Sequence, residues 1–427
     1  MKRFDFCDIM LELNLTSFNL KSLKFLLNMP GLSRTGENMI DLPLFSIKSH
    51  PLLPIVQGGM GVGVSAHRLA GTVAHLGAMG TIASIDLHRH HPDLVAQARH
   101  CRDQAVLNTL NFEALRREVD AALTMADGHG MVAVNVMKAV AEHPALVRVA
   151  CESGAQAIVM GAGLPLDLPE MTQDFPDVAL VPILSDARGI AILLKKWMRK
   201  HRLPDAIVIE HPRYAGGHLG APKPEDLNDP RFDFVGVLES VQQLFHELGI
   251  SHEQVPLIPA GGINSHEQIK ALLGLGASAV QMGTAFAVTV EGDAHPNFKR
   301  VLAQAKPEDI VTFMSVAGLP ARAVLTPWLI NYLKREHTLQ GYAKCDLNRC
   351  ASGLHCLTQC GLRDGITKSG QFCIDSQLAA ALAGNVEKGL FFRGSEPLPF
   401  GEEIRPVKDL ITYMLTGNKP VADLPGG

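Results

Sequence analysis

The sequence predicts an α/β fold: a TIM-type (β/α)8 barrel with an appended, mainly helical, cysteine-rich C-terminal region. Three observations carry that reading. Eight short runs rich in Val and Ile recur between residues 54 and 283, and most end near Gly, Ser or Asn. Near-continuous apolar runs are what parallel strands buried on both faces require. Helical periodicity fills the intervals, and eight such units over about 240 residues match the span of one barrel. An open doubly wound sheet is the alternative architecture. Past residue 290 the alternation stops, and the remainder of the chain holds five of the eight cysteines.

Taken in order, residues 1–38 show no clear period and read as an N-terminal extension whose order the sequence leaves open. Asp5, Asp8 and Glu12 interrupt any apolar run after Lys2 and Arg3, which argues against a signal peptide and for the cytoplasm. The barrel is expected over residues 39–300, with strands at 54–57, 78–84, 131–137, 157–161, 178–185, 206–210, 256–260 and 279–283. After Asp186, the residues Ile190, Leu193, Leu194 and Trp197 fall on one helical face, with Lys195, Lys196 and Arg199 opposite. Asn264 followed by Glu267 reads as a helix N-cap with its capping box. Residues 301–427 form the cysteine-rich region.

Composition narrows the function. The 427 residues are 47% hydrophobic and 19% charged, enough apolar content for a large core and too much for disorder. A formal charge of −4 gives no general attraction to nucleic acid or anionic membrane. No apolar run nears the ~20 residues that span a bilayer.

Glycine-bearing motifs lie at four expected strand ends. Gln57, Gly58, Gly59 and Met60 follow the first strand, and Gly61-x-Gly63-x-x-Ala66 with Asp86 downstream would fit a dinucleotide fingerprint. The preferred reading is that these glycines let backbone approach a flat ring at a barrel mouth. Gly261 and Gly262 end the seventh strand, and Gln281, Met282, Gly283 and Thr284 end the eighth. Loops after strands seven and eight often build a phosphate site from backbone N–H groups. After the sixth strand, His218 stands in Ala215-Gly216-Gly217-His218-x-Gly220. An imidazole held there can take a proton from carbon near neutral pH.

In this order the motifs resemble the nitronate monooxygenase family, once called 2-nitropropane dioxygenases, to which FabK-type enoyl reductases are related. The resemblance covers about residues 42–290. It implies an FMN-containing barrel. Asn135, Gly216 and Gln281 to Thr284 would contact FMN, and Gly262, Gly283 and Thr284 would meet its phosphate. Gln57, Gly58, Gly59 and Met60 would lie near the ring system, Gly217 and Gly261 beside them, with His218 as catalytic base. His211 stands where many relatives carry Gln, so the contact expected there departs from the family. The implied reaction is oxidation of an alkyl nitronate with O2. The alternatives are an NAD(P)H-dependent flavin reductase acting on an enoyl thioester or quinone, and a non-catalytic flavin or iron–sulfur sensor.

The C-terminal thiols read separately. Cys345, Cys350, Cys356, Cys360 and Cys373 lie within 29 residues, at spacings unlike paired Cys-x2-Cys zinc sites. Cys350, Cys356, Cys360 and Cys373 are the set expected for a [4Fe–4S] cluster, against the alternative of unligated thiols in a helical cap. His88-Arg89-His90-His91 reads as a solvated loop after the second strand, and residues 221–234 as a long loop able to act as a lid.

Overall fold

The computed structural model describes residues 42–350 and 356–420. The expected extension over residues 1–38 lies outside them. A short hairpin, β1 (Phe45–Ile47) and β2 (His50–Leu52), precedes the barrel. The barrel strands are β3 (Ile55–Gln57), β4 (Met79–Ala83), β5 (Met131–Met137), β6 (Ala157–Gly161), β7 (Ala179–Leu184), β8 (Ile207–Glu210), β10 (Leu257–Ala260) and β11 (Val280–Met282). They close in that order, β11 returning to β3, with every pair parallel. All eight expected strands are present.

Side chains alternate across each strand, and the alternation sorts them. Val56, Met79, Met131, Ala133, Ala157, Val159, Ala179, Val181, Ala206, Val208, Ile258 and Ala260 fill the barrel interior, and Phe45, Ile47 and Leu52 of the first hairpin plug its lower end. The opposite faces meet the helices: α1 (His67–His75), α2 (Pro92–Ala98), α3 (Gln104–Ala126), α4 (His143–Glu152), α5 (Leu168–Met171), α6 (Ala187–Met198), α7 (Phe234–Leu248) and α8 (His266–Gly274). On α6, Ile190, Leu193, Leu194 and Trp197 are all buried, as their spacing predicts, and Asp186 caps the helix through the Gly189 N–H at 2.6 Å. On α8 the N-cap is Ser265, which accepts from the Gln268 N–H, and not Asn264. The Asn264 side chain instead reaches the Pro397 carbonyl at 2.9 Å.

Past the barrel come α9 (Thr284–Ala287), α10 (Pro296–Gln304), an antiparallel hairpin of β12 (Ile310–Met314) and β13 (Pro320–Val324), then α11 (Pro327–Gly341), α12 (Gly361–Asp364), α13 (Ile374–Leu382) and α14 (Val407–Thr416). The hairpin adds strand to a region expected to be mainly helical. It pairs with β9 (Gly217–His218), so a C-terminal strand grips the loop that carries the histidine. Phe391 accepts from the Val324 N–H and Arg393 donates to the Arg322 carbonyl along β13, and the segment then crosses the barrel mouth: Gly394 donates to Thr284 Oγ1 at 3.0 Å and Ser395 to the Tyr214 carbonyl at 3.1 Å.

The run from His88 to His91 is not a solvated loop. It forms a 3-10 turn over buried Leu87, with Arg89 paired to Asp375 at 2.8 Å, His90 Nε2 2.8 Å from the Gly63 carbonyl, and His91 beside Glu118. It joins the barrel to α13. The 221–234 loop carries two 3-10 turns that share a small apolar cluster with Ala215 and Leu219.

Candidate active site

The C-terminal ends of the strands open into a cavity of 670 Å3, within the range that holds a cofactor and a small substrate. Strand alternation decides who faces it. Asn135 on β5, Ile183 on β7, Glu210 on β8 and Gln281 on β11 continue the interior faces and line the cavity. Asn135 is oriented by donating to the Val159 carbonyl at 3.2 Å. Thirteen of the expected cofactor and catalytic residues line this space: Gly58, Gly59, Met60, Asn135, Gly216, Gly217, His218, Gly261, Gly262, Gln281, Met282, Gly283 and Thr284.

Two of the expected contacts lie elsewhere. Gln57 follows the inward Val56 and so points out of the barrel. It is fully buried and clasps β4, donating to the Thr81 carbonyl at 3.0 Å and accepting from the Thr81 N–H at 2.9 Å. His211 follows the inward Glu210 and is likewise turned away. It is 2% exposed, packed between Tyr214 and Phe234, with Nε2 3.3 Å from Asp233. Neither lines the cavity.

The glycines serve distinct ends. A Cβ on Gly59 would stand 2.4 Å from the Asn135 Cβ, so this wall exists only because backbone packs on side chain. Gly262 takes φ +76°, and a Cβ there would strike the Tyr214 ring at 2.8 Å. Its glycine requirement is thus a turn and a ring contact within the protein. Among the described residues the N–H groups of Gly262, Gly283 and Thr284 have no intramolecular acceptor. Three free donors at the ends of the last two strands suit a phosphate.

His218 is held by elements remote in sequence. Its backbone pairs with Ala321 on β13, and its Nε2 lies 2.6 Å from Ser315 Oγ at the end of β12. The Phe392 ring stands edge-on at 5.8 Å. Burial alone lowers its pKa to about 4, so the imidazole is neutral at pH 7 and able to accept a proton. Glu210 is displaced the opposite way, burial raising its carboxyl to about 7. The two cavity groups are thus displaced in opposite directions by the same cause, loss of solvent. Among the described residues, no lysine or arginine lines the cavity.

Cys356 also lines the cavity. Burial raises its thiol, and so do Asp375, Cys360, Cys350 and Cys373, which places the other three expected thiols within electrostatic reach of Cys356. Cys360 and Cys373 stand at the N-caps of α12 and α13. Among the described residues, no group of three or more His, Cys, Asp or Glu is arranged to hold a metal ion. Residues 351–355, between Cys350 and Cys356, lie outside the described set.

The family model for nitronate monooxygenase matches residues 45–417. The chain belongs to the nitronate monooxygenase family. It is 27% identical over 289 residues to a probable nitronate monooxygenase of Bacillus subtilis, covering 65% of this chain and 77% of that protein. Against the nitronate monooxygenase of Pseudomonas aeruginosa the identity is 26% over 297 residues, 64% of this chain and 76% of the relative. Among solved structures, FabK from Thermotoga maritima aligns with a TM-score of 0.58 at 23% identity, over 85% of this chain and 91% of that one. Nitroalkane oxidase from Streptomyces ansochromogenes aligns with a TM-score of 0.57 at 20% identity, over 86% and 96%. These two likenesses show the shared barrel fold, and membership of the nitronate monooxygenase family makes the chain an oxidoreductase enzyme.

Sequence reasoning missed Glu210, Ser315 and Phe392. Glu210 had a signal, since it keeps the same strand parity as Ala206 and Val208. Ser315 and Phe392 had none, because only the tertiary pairing of β9 with β13 brings them to His218.

Proposed function

We propose that the protein is an FMN-dependent nitronate monooxygenase that oxidises small alkyl nitronates with O2. The observation that carries this is a half-buried, neutral His218 facing a cavity that, among the described residues, holds no lysine or arginine and whose rim has three N–H donors without an intramolecular acceptor. Gly262, Gly283 and Thr284 would hold the FMN phosphate, with Gly58, Gly59, Met60, Asn135 and Gln281 against its ring system. Bound FMN supplies the two-electron and one-electron redox chemistry that no side chain can.

The residues of the chain handle the proton. A neutral nitroalkane loses its α-hydrogen as a proton to the His218 imidazole. The C–H electron pair moves into the nitro group, leaving a nitronate, and the imidazolium later returns the proton to water. Ser315 keeps the ring in place for this step. The apolar wall of Ile183, Leu184 and Phe392 excludes water and favours a small, mostly apolar substrate.

The test is anaerobic mixing of the purified protein with a nitronate, and separately with NADH and NADPH, while following flavin absorbance. Bleaching by nitronate alone supports the proposal. Bleaching by nicotinamide alone replaces it with a reductase of enones or quinones. A paired measurement uses His218→Asn. Turnover of neutral nitroalkane is expected to fall about 10²–10⁴-fold, the usual worth of a positioned base, while oxidation of preformed nitronate falls far less.

The electrostatic reach of Cys350, Cys360 and Cys373 to Cys356 motivates a second proposal, an iron–sulfur cluster on these four thiols, although among the described residues they are not arranged to hold a metal ion. Anaerobically purified protein supplied with iron is expected to contain iron and acid-labile sulfide near stoichiometry, and Cys356→Ala to lose both. Absence of both from the parent protein would leave the cysteines as plain thiols.

A further inference from the structure

We infer that Glu210 is the substrate-recognition group of the cavity: as a carboxylic acid it donates a hydrogen bond to an oxygen of a small planar oxyanion, and as a carboxylate it repels that anion. The inference deepens the proposed function and rests on its reading of the cavity as a nitronate site. Placement comes first. Ala206 and Val208 point into the barrel, so the two-residue period sends Glu210 to the same side one layer higher, level with Ala260 on the neighbouring strand. Its Oε2 lies 3.6 Å from where a Cβ on Gly220 would stand, so the carboxyl packs against the loop that presents His218. Ser185, from the adjacent strand end, closes on the same glycine.

Charge supplies the second half of the argument. A nitronate is an anion, yet among the described residues the cavity offers no lysine or arginine. Its other ionisable groups cannot serve as the anion's counter-charge. His218 is neutral at pH 7. Asp186 is committed to capping α6, and Asp375 to Arg89. Burial also raises the carboxyl of Asp86, which faces Asp375. Glu396 and Tyr214 line the rim, and Cys356 the opposite wall. An anion in such a site is held by neutral donors or not at all. A half-buried carboxylic acid kept protonated is a donor of this kind, and it needs no charge of its own. Glu210 has no hydrogen-bond or ion-pair partner among the described residues, so its donor is unspent. Its carboxyl titrates at about 7, which puts recognition under the control of pH in the neutral range.

The experiment is calorimetric titration of the intact, flavin-loaded protein with sodium nitrate, a planar oxyanion that neither reacts nor titrates, from pH 5.5 to 8.5. Nitrate affinity of the parent protein is expected to be level below pH 7 and to fall about tenfold per pH unit above it. Glu210→Gln keeps a donor that cannot ionise. It is expected to bind within about threefold of the parent at pH 6 and to lose the pH dependence. Glu210→Ala is expected to bind at least tenfold more weakly at pH 6, with its thermal midpoint recorded to show that it folds. Parent binding that is flat with pH, or Glu210→Gln as weak as Glu210→Ala, overturns the inference. The two readings fail separately. Nitrate binding with this profile and no bleaching by nitronate removes the nitronate reaction and leaves the anion site. Bleaching by nitronate with nitrate affinity unchanged in Glu210→Ala removes Glu210 and leaves the reaction.

Discussion

His218 owes its lowered pKa to loss of solvent, with no charged partner among the described residues. An imidazole that protonates near pH 4 when folded and near 6.5 when unfolded binds fewer protons in the native state between those values. Its contribution to stability is therefore present above about pH 6.5 and is lost as the pH falls toward 4. The loss is expected to be about 3 kcal/mol between pH 7 and 4. Urea unfolding of flavin-free protein at the two pH values checks it, and His218→Asn is expected to remove that share of the pH dependence. Glu210 runs the other way: its raised carboxyl favours the fold below about pH 4.5, and this is lost as the pH rises through 7. On the proposed function, Ser315 is a positioning residue for His218. Ser315→Ala is expected to slow proton abstraction from a neutral nitroalkane about fivefold, the worth of one hydrogen bond of about 1 kcal/mol. Nitronate turnover is expected to hold, and Ser315→Thr to restore the loss.

Within single elements, most of the site was legible. The apolar runs placed all eight strands, and their two-residue period placed Asn135 and Gln281 inside. The same period, applied to β3 and β8, turns Gln57 and His211 outward and Glu210 inward, so parity corrects the expectations taken from motif position alone. Glycine was legible as a need for space but not as to what fills it. Gly216 shows the difference. A Cβ there would meet the Arg393 carbonyl carbon at 2.5 Å and the Gly394 nitrogen at 2.6 Å, so this glycine seats the C-terminal segment on the barrel mouth. Gly216→Ala is expected to lift that segment, to cost about 1–3 kcal/mol as overpacking does, and to speed flavin loss. The thermal midpoint and the rate of proteolytic cleavage between residues 390 and 400 report it.

Across the whole molecule, barrel and C-terminal region share one core. Leu53, Val134 and Ile209 of the barrel belong to the same apolar cluster as Phe313, Leu329, Phe372, Leu390 and Leu410. Arg89 and Asp375 add an ion pair across the same seam. We therefore propose that the boundary expected near residue 300 marks a change of pattern and not a break between folding units. Calorimetry is expected to give a single transition with equal calorimetric and van't Hoff enthalpies. Two resolved transitions would restore two units. Among the described residues, no helix is long and apolar enough to cross a membrane.

By itself the sequence determined the barrel, the late glycine turns, and a histidine presented in a glycine loop at a strand end. Each is written in spacings of two to four residues, which backbone geometry reads locally. Tertiary structure alone decided how that histidine works. Its hydrogen-bond partner is 97 residues away, and the strand that aligns it pairs with two residues in a glycine loop too short to show a period. Asp86 and Asp375 met for the same reason, across 289 residues of chain. No local pattern encodes such meetings, because they follow from how packed elements close over the mouth and not from the elements themselves.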